Sequence, residues 1–267
     1  MAPQKKGSPL DRYVVVLEAI ASAPSSIGLS DIAQVCGLPL GSAHRLIAGL
    51  QKANLIVAEG TTRKTYKPGA RLLRLVHAAT PAGKLRLAVQ NVLDATSDRA
   101  GETCFLARFD GTQIRAIAWA VPARGVRGYV FPGQSMPPNA AASAKAILAF
   151  QDDAVVTEVL TAPLVKMTRA TKTRLEEIKR EYSLIRKQGY SVCQDEIELG
   201  VGAVSCPIEL PGVGVVYSVT VSAVWERIGR PQKLKAVLAE LRSAAAKLQR
   251  ALQHLPDTQP AWDFEPS

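Results

Sequence analysis

The stretch GLPLGSAHRLIAGL, residues 37–50, gathers hydrogen-bonding and cationic groups on one side of an apolar stripe. Ala43, Leu46, Ile47 and Leu50 recur at the spacing of a single helix face and require a core. Left over are Gly41, Ser42, His44, Arg45 and, just beyond, Lys52. A helix laid in a duplex major groove presents its N-terminal side chains to base edges. Here those side chains are Leu40, Gly41, Ser42, His44 and Arg45. Arg45 can bind a guanine bidentately or clamp a phosphate, and Leu40 can touch a thymine methyl. Lys52, Arg63 and Lys64 suit phosphate contacts, which position a protein without reading sequence. In isolation, His44 and Arg45 read equally well as solvated helix residues.

A second set lies in PPNAAASAKAILA. Asn139 can cap a helix there. The small residues that follow, Ala140, Ala141 and Ser143 among them, leave first-turn amides open to an anion such as a carboxylate. Close packing of an Ala-rich helix on a sheet explains the same residues. On the last strand, alternation sets Ser218, Thr220 and Ser222 on one face, suited to solvent or to a polar ligand.

Nothing in the chain reads as catalytic machinery. The three histidines are His44, His77 and His254, and no nucleophile–base–orienter set surrounds them. Gly212-Val213-Gly214 marks a hairpin turn rather than a dinucleotide fingerprint. Asp195, Glu196 and Glu198 lack partner cations and metal-type spacing, so they read as a solvated loop. No catalytic residue, metal site or cofactor is expected.

The elements that must hold these residues follow from punctuation and period. Ser8-Pro9 opens a helix over about 9–22, broken by Ala23-Pro24-Ser25-Ser26. A short helix at about 29–36 has capping chemistry from Ser30 and Asp31 and a stop at Gly37, and Pro39 opens the third, 39–52. Leu55–Ala58 and Thr65–Lys67 pair around Gly60-Thr61-Thr62, a hairpin tipped by Arg63 and Lys64. Three helices and a basic hairpin make a winged helix-turn-helix.

A connecting helix spans about 69–78, with Leu72, Leu73 and Val76 inward, and Thr80-Pro81-Ala82-Gly83 is the natural domain boundary. Beyond it come a helix (84–98), strands near 102–109, 112–120 and 126–131, and the Ala-rich helix, 139–150. Helices near 152–160 and 171–188 precede strands near 190–194, 200–210 and 214–222 and a last helix at 231–252. Short turns such as Asp110-Gly111 and Pro211-Gly212 imply an antiparallel sheet with helices packed on it, an α+β class.

At 267 residues, 47% hydrophobic and 21% charged, the chain suits two globular domains. Its net charge of +10 favours polyanions. Residues 1–80 hold 10 Lys/Arg against 4 Asp/Glu, residues 81–267 hold 23 against 19, so the basic character concentrates at the N-terminus. Four scattered cysteines without a CxxC pair fit a reducing cytoplasm. No apolar run approaches the roughly 18 residues of a membrane span. YVVVLEAIASA imitates a signal peptide, but Asp11 and Arg12 enter before it and Glu18 splits it, so secretion is disfavoured.

In order along residues 8–250, six segments resemble successive motifs of the isocitrate-lyase-regulator (IclR) family of bacterial transcription factors. They are LSDIAQVCGLPLGSAHRLIAGLQKANLI, TYKPGARLLRL, GETCFLARFDG, PGQSMPPNAAASAKAILA, GYSVCQDEIELGVGAVSCPI and VVYSVTVSA. The resemblance implies a winged helix-turn-helix domain over 1–68, a linker helix over 69–82 and a GAF-like (profilin-like) effector-binding domain over 83–253. A loose tail covers 254–267. It also implies a homodimer or dimer of dimers in the cytoplasm, more often a repressor, bound to an inverted-repeat operator in double-stranded DNA. A small, acidic metabolite would modulate that binding. Cys193, Ala203, Thr220 and Ser222 occupy positions that line the family's effector pocket, with Cys193 read as a small hydrophobe.

The sequence departs from the family pattern in places. Leu40-Gly41-Ser42 stands where a polar residue and Ser-Thr are common, Asn139 where His is common, and Ala144 where Gly is common. Relatives that bind small keto acids tend to carry Asp and Cys where Cys193 and Ala203 stand. A nucleic-acid-binding structural protein and a small-molecule enzyme remain the competing classes.

Overall fold

The computed structural model describes residues 8–23, 26–60, 64–79, 82–123, 133–160 and 164–253. The chain divides into two compact units, Met1–His77 and Ala78–Ser267.

In the N-terminal unit, Ser8 and Asp11 close a capping box on α1 (Pro9–Ala21). Ser8 Oγ accepts from Asp11 N at 3.2 Å, and Asp11 Oδ2 accepts from Ser8 N at 2.5 Å. β1 (Ile27–Gly28) leads into α2 (Leu29–Val35), then α3 (Leu40–Lys52). The expected Ser30/Asp31 cap is not what starts α2. Its N-cap is Gly28, without a side-chain cap bond, because the preceding backbone is already committed to β1. The turn into α3 uses Gly37 at φ 62°, a region open to glycine at no steric cost. α3 ends at Asn54 (φ 57°), where Leu55 N donates to Leu50 O at 3.0 Å.

β2 (Ile56–Glu59) and β3 (Thr65–Pro68) form an antiparallel wing, with Ile56 opposite Pro68 and Glu59 opposite Thr65. Lys67 and Glu59 pair across it. β1 joins the other edge of β3, giving the order β1-β3-β2, and two residues are too short to show alternation in sequence. Val16, Ile20, Ile32, Ile47, Leu50, Ile56 and Tyr66 make the core. α1 approaches α3 closely at Gly49, where a Cβ would lie 2.8 Å from Tyr13 Cε1. α4 (Ala70–Ala79) follows, with Leu72 and Leu73 half-buried.

The C-terminal unit opens with α5 (Ala82–Ala100), β4 (Thr103–Phe109) and β5 (Ile114–Ala120). Asp110 fixes the turn between the strands, its Oδ1 accepting from Thr112 N at 3.0 Å and Gln113 N at 2.8 Å. Those bonds hold its carboxyl below the usual range although burial pushes the other way. Next are α6 (Ala142–Leu148), α7 (Asp153–Val159) and α8 (Leu175–Gln188). β6 (Ser191–Gln194), β7 (Val201–Leu210), β8 (Gly214–Val224), α9 (Trp225–Ile228) and α10 (Pro231–Gln253) complete the chain. The five strands run antiparallel in the order β5-β4-β8-β7-β6.

α5 and α10 pack on the sheet, and so does α6, which α8 joins. Burial on both faces explains why nearly every residue of β4 and β8 is apolar or small. Phe105, Ala107, Phe109, Ile147, Ile178, Tyr182 and Ile185 anchor the α6–α8 layer. The strand expected near 126–131 and the tail from 254 lie outside the described residues.

Candidate nucleic-acid interface and ligand cavity

α3 is locked from behind and open in front. Ala43, Ile47 and Leu50 are buried, and Leu46 is half-buried. Leu40, Gly41, His44, Arg45 and Lys52 are exposed and Ser42 is half-buried, so the residues singled out as base-facing share one accessible surface. Leu40 stays 54% exposed, an apolar group held in water at the N-terminal end of a cationic face. Among the described residues no ion pair engages Arg45, Lys52 or Lys64, which leaves their charges available to a polyanion. Lys64 is exposed just before β3; Arg63 lies outside the described residues.

In the C-terminal unit a cavity of 180 Å³ opens between α6 and the sheet. Ala141, Ala142 and Ser143 line it from α6, Cys193 and Ala203 from β6 and β7, and Thr220 and Ser222 from β8. Phe105, Gln134, Met136, Ile197, Glu198 and Val201 complete the wall. Thus six of the eight sequence-selected positions meet at one space, Ala141, Ser143, Cys193, Ala203, Thr220 and Ser222.

The other two do not reach it. α6 begins at Ala142 with Ala141 as N-cap, because Ala140 N and Ala141 N first turn back onto Pro137 O at 3.2 and 2.9 Å. Asn139 therefore caps nothing. Its Nδ2 donates to Lys172 O at 2.8 Å and Val165 O at 3.1 Å, pinning a neighbouring segment, and Ala140 is packed out of sight. The proposed strand face also resolves. Ser218 and Thr220 are fully buried, so solvent is not their partner. Ser218 Oγ donates to Ser143 O at 3.1 Å, and Thr220 Oγ1 lies 2.7 Å from Ser205 Oγ. Ser143 Oγ is buried at the cavity without a hydrogen-bond partner, and a buried hydroxyl in that state costs roughly 1–3 kcal/mol. Burial raises the Cys193 thiol above its ordinary value, as expected of an inert cysteine.

The acidic loop is the clearest correction. Glu196 is buried, not solvated, and its Oε1 accepts from the wholly buried Lys145 at 2.6 Å. The partner cations were invisible in sequence because they come from α6 and from Lys172, far away along the chain. A larger groove of 690 Å³ runs among α5, α9 and α10. Four of its charged side chains pair among themselves, Arg99 with Glu240 at 2.5 Å and Arg227 with Glu102 at 2.7 Å, and none of the sequence-selected residues lines it, so the smaller cavity is the better site. Among the described residues no cluster of His, Cys, Asp or Glu could hold a metal ion, and no helix is long and apolar enough to cross a membrane.

A winged helix-turn-helix with an exposed cationic face, in one chain with a cavity-bearing α+β unit, is the build of a DNA-binding transcriptional regulator. The family described as bacterial transcriptional regulator IclR C-terminal matches residues 77–250, and the IclR helix-turn-helix domain matches 9–60. The chain belongs to the IclR family of transcriptional regulators. It is similar to the DNA-binding transcriptional repressor YiaJ of Escherichia coli K12, 26% identical over 256 residues that cover 91% of this chain and 87% of that one. The crystal structure of the Thermotoga maritima IclR covers 92% of this chain and 98% of its own, with a TM-score of 0.58 and 25% identity. An IclR homolog from Microbacterium hydrocarbonoxydans, complexed with 4-hydroxybenzoate, shares the fold at a TM-score of 0.58 and 23% identity, covering 91% and 98%.

Proposed function

We infer that the protein is a cytoplasmic repressor that binds an inverted-repeat operator as a homodimer or dimer of dimers and is tuned by a small acidic metabolite. The reading rests above all on α3, whose back is fixed in a core while Leu40, His44 and Arg45 stand free at its N-terminal half. Leu40, Gly41, Ser42, His44 and Arg45 face the bases, and Lys52, Arg63 and Lys64 hold phosphates. The chain acts by binding rather than by turnover. The relative YiaJ, named a repressor, supports the sign of regulation.

The metabolite occupies the α6 cavity. At 180 Å³ it is below the roughly 300–1,000 Å³ of drug-sized pockets, which restricts it to a compact ligand. Ser143 Oγ and the amides at the start of α6 donate to a carboxylate; the first bond within α6 comes from Lys145 N, so the amides of 142–144 have no partner four residues back. The 4-hydroxybenzoate bound by the Microbacterium homolog is a carboxylate of suitable size. The test is a panel of small carboxylates, 4-hydroxybenzoate included, set against neutral polyols and amines. A carboxylate that raises Tm and changes duplex affinity supports the reading. Response to amines or polyols alone contradicts it.

A further inference from the structure

Loop 195–200 forms one wall of the cavity through Ile197 and Glu198, yet it has almost no apolar anchor of its own. Ile197 is 38% and Leu199 68% exposed, Glu198 and Gly200 are exposed, and Asp195 is half-buried. The one buried residue of the loop is the charged one, Glu196. We propose that Lys145 is a positioning residue of the effector cavity, holding loop 195–200 in place as its wall through the ion pair with Glu196. This deepens the reading of the cavity as the effector site and rests on it.

Lys145 is 0% exposed, two residues beyond Ser143 on α6. Its Nζ donates to Glu196 Oε1 at 2.6 Å and Glu181 Oε1 at 2.8 Å. Lys172 Nζ stands 3.3 Å from Glu181 Oε2 and 3.5 Å from Glu196 Oε2, so two cations face two carboxylates with no net charge. Burial raises the Glu196 carboxyl, with Lys145 pulling against it. Burial would lower Lys172, but Glu181 and Glu196 overcome that and raise it.

The loop backbone is clamped to the same cluster. Thr171 Oγ1 donates to Glu196 O at 2.6 Å, and Thr168 Oγ1 to Asp195 O at 2.5 Å. Gly200 N donates to Asp195 Oδ1 at 2.6 Å, closing the loop on itself. Cys193, at the end of β6 just before the loop, lines the same cavity as Ile197 and Glu198.

A buried ion pair is a poor source of stability, since apolar residues of similar volume often do as well. What it imposes is place. Removing Lys145 leaves two carboxylates facing the one cation Lys172, and the exposed loop that carries Glu196 can move its charge into water more cheaply than α8 can move Glu181. Lys145, anchored in a helix packed on the sheet, thereby transmits the position of α6 to Ile197 and Glu198.

The test needs no effector. In full-length Lys145→Met, iodoacetamide labelling of Cys193 is followed by mass spectrometry, with Cys104 and Cys206 as internal controls buried in the same sheet. Lys145 lowers the Cys193 pKa, so losing its charge would by itself slow the reaction. The expected result is labelling of Cys193 about tenfold faster, with Cys104 and Cys206 still protected. Glu196→Gln, nearly isosteric, is the second variant. Amide exchange across 195–201 is expected to accelerate about tenfold while the amides of β8 stay slow. A folded variant that lacks its local change overturns the proposal, as does acceleration spread over the whole sheet. Should Lys145→Met not fold, Glu196→Gln decides alone. Either outcome leaves the identity of the cavity as an effector site to the carboxylate panel.

Discussion

Ser218 on β8 donates its hydroxyl to the main-chain oxygen of Ser143 at 3.1 Å, tying sheet to helix, while the hydroxyl of Ser143 itself has no partner. One serine is structural and the other is in reserve. Ser143→Ala is therefore expected to leave the unfolding free energy unchanged or higher by up to about 1 kcal/mol, since an unmet buried hydroxyl disappears. The same change weakens the active carboxylate about tenfold, the value of one hydrogen bond. Urea titration and effector titration of DNA release check the two halves.

Ile47→Ala cuts into the small core behind the reading face, where Ile47 is 1% exposed beside Val16, Ile32 and Tyr66. The expected cost is about 2–5 kcal/mol to the N-terminal unit. Calorimetry should show that unit melting earlier, with duplex binding lost and carboxylate binding to the C-terminal unit retained.

Lys64 is exposed just before β3, and among the described residues no ion pair engages it. Lys64→Ala should weaken all duplexes alike and reduce the slope of log affinity against log salt by about 1. Anisotropy titrations from low to physiological salt measure it. An effect confined to one sequence would mean that Lys64 reads bases.

Burial pushes the thiols of Cys104 and Cys206 from 9.0 up to about 12 and about 11, and the Tyr217 hydroxyl from 10.0 up to about 12. Above pH 9 the unfolded chain releases these protons first, while the folded chain keeps them. Their contribution is whole below pH 9 and is lost as pH climbs toward 11 and 12. The urea-unfolding free energy should fall steadily over that window, and Cys104→Ala should flatten the fall.

Local signals carried far in this chain. The Ser8-Pro9 start, the Gly37 turn and the strand-joining turns at Asp110-Gly111 and Pro211-Gly212 are written in neighbouring residues, and the observed elements lie close to the expected ones. What failed was non-local. Asn139 looks like a cap because Asn before an Ala run usually is one, yet the competing turn at Pro137 and the carbonyls of Val165 and Lys172 claim it. Glu196 looks solvated because its neighbours Asp195 and Glu198 are acidic, and its cation arrives from 51 residues away. An Ala-rich helix carrying one lysine on its buried side was the available clue: Lys145 in ASAKAIL requires a carboxylate somewhere. Gln134, Met136 and Phe105 sit inside the family-like segments PGQSMPPNAAASAKAILA and GETCFLARFDG, but nothing in their types or spacing marked them as cavity wall.

Selection of duplexes from a random DNA library, run with wild type and Arg45→Ala at near-physiological salt, decides whether α3 reads sequence through Arg45. Wild type is expected to enrich an inverted-repeat motif that Arg45→Ala blurs or loses. Wild type enriching nothing, or both proteins enriching the same sequences equally well, would contradict the assignment of α3 and Arg45 as the reader.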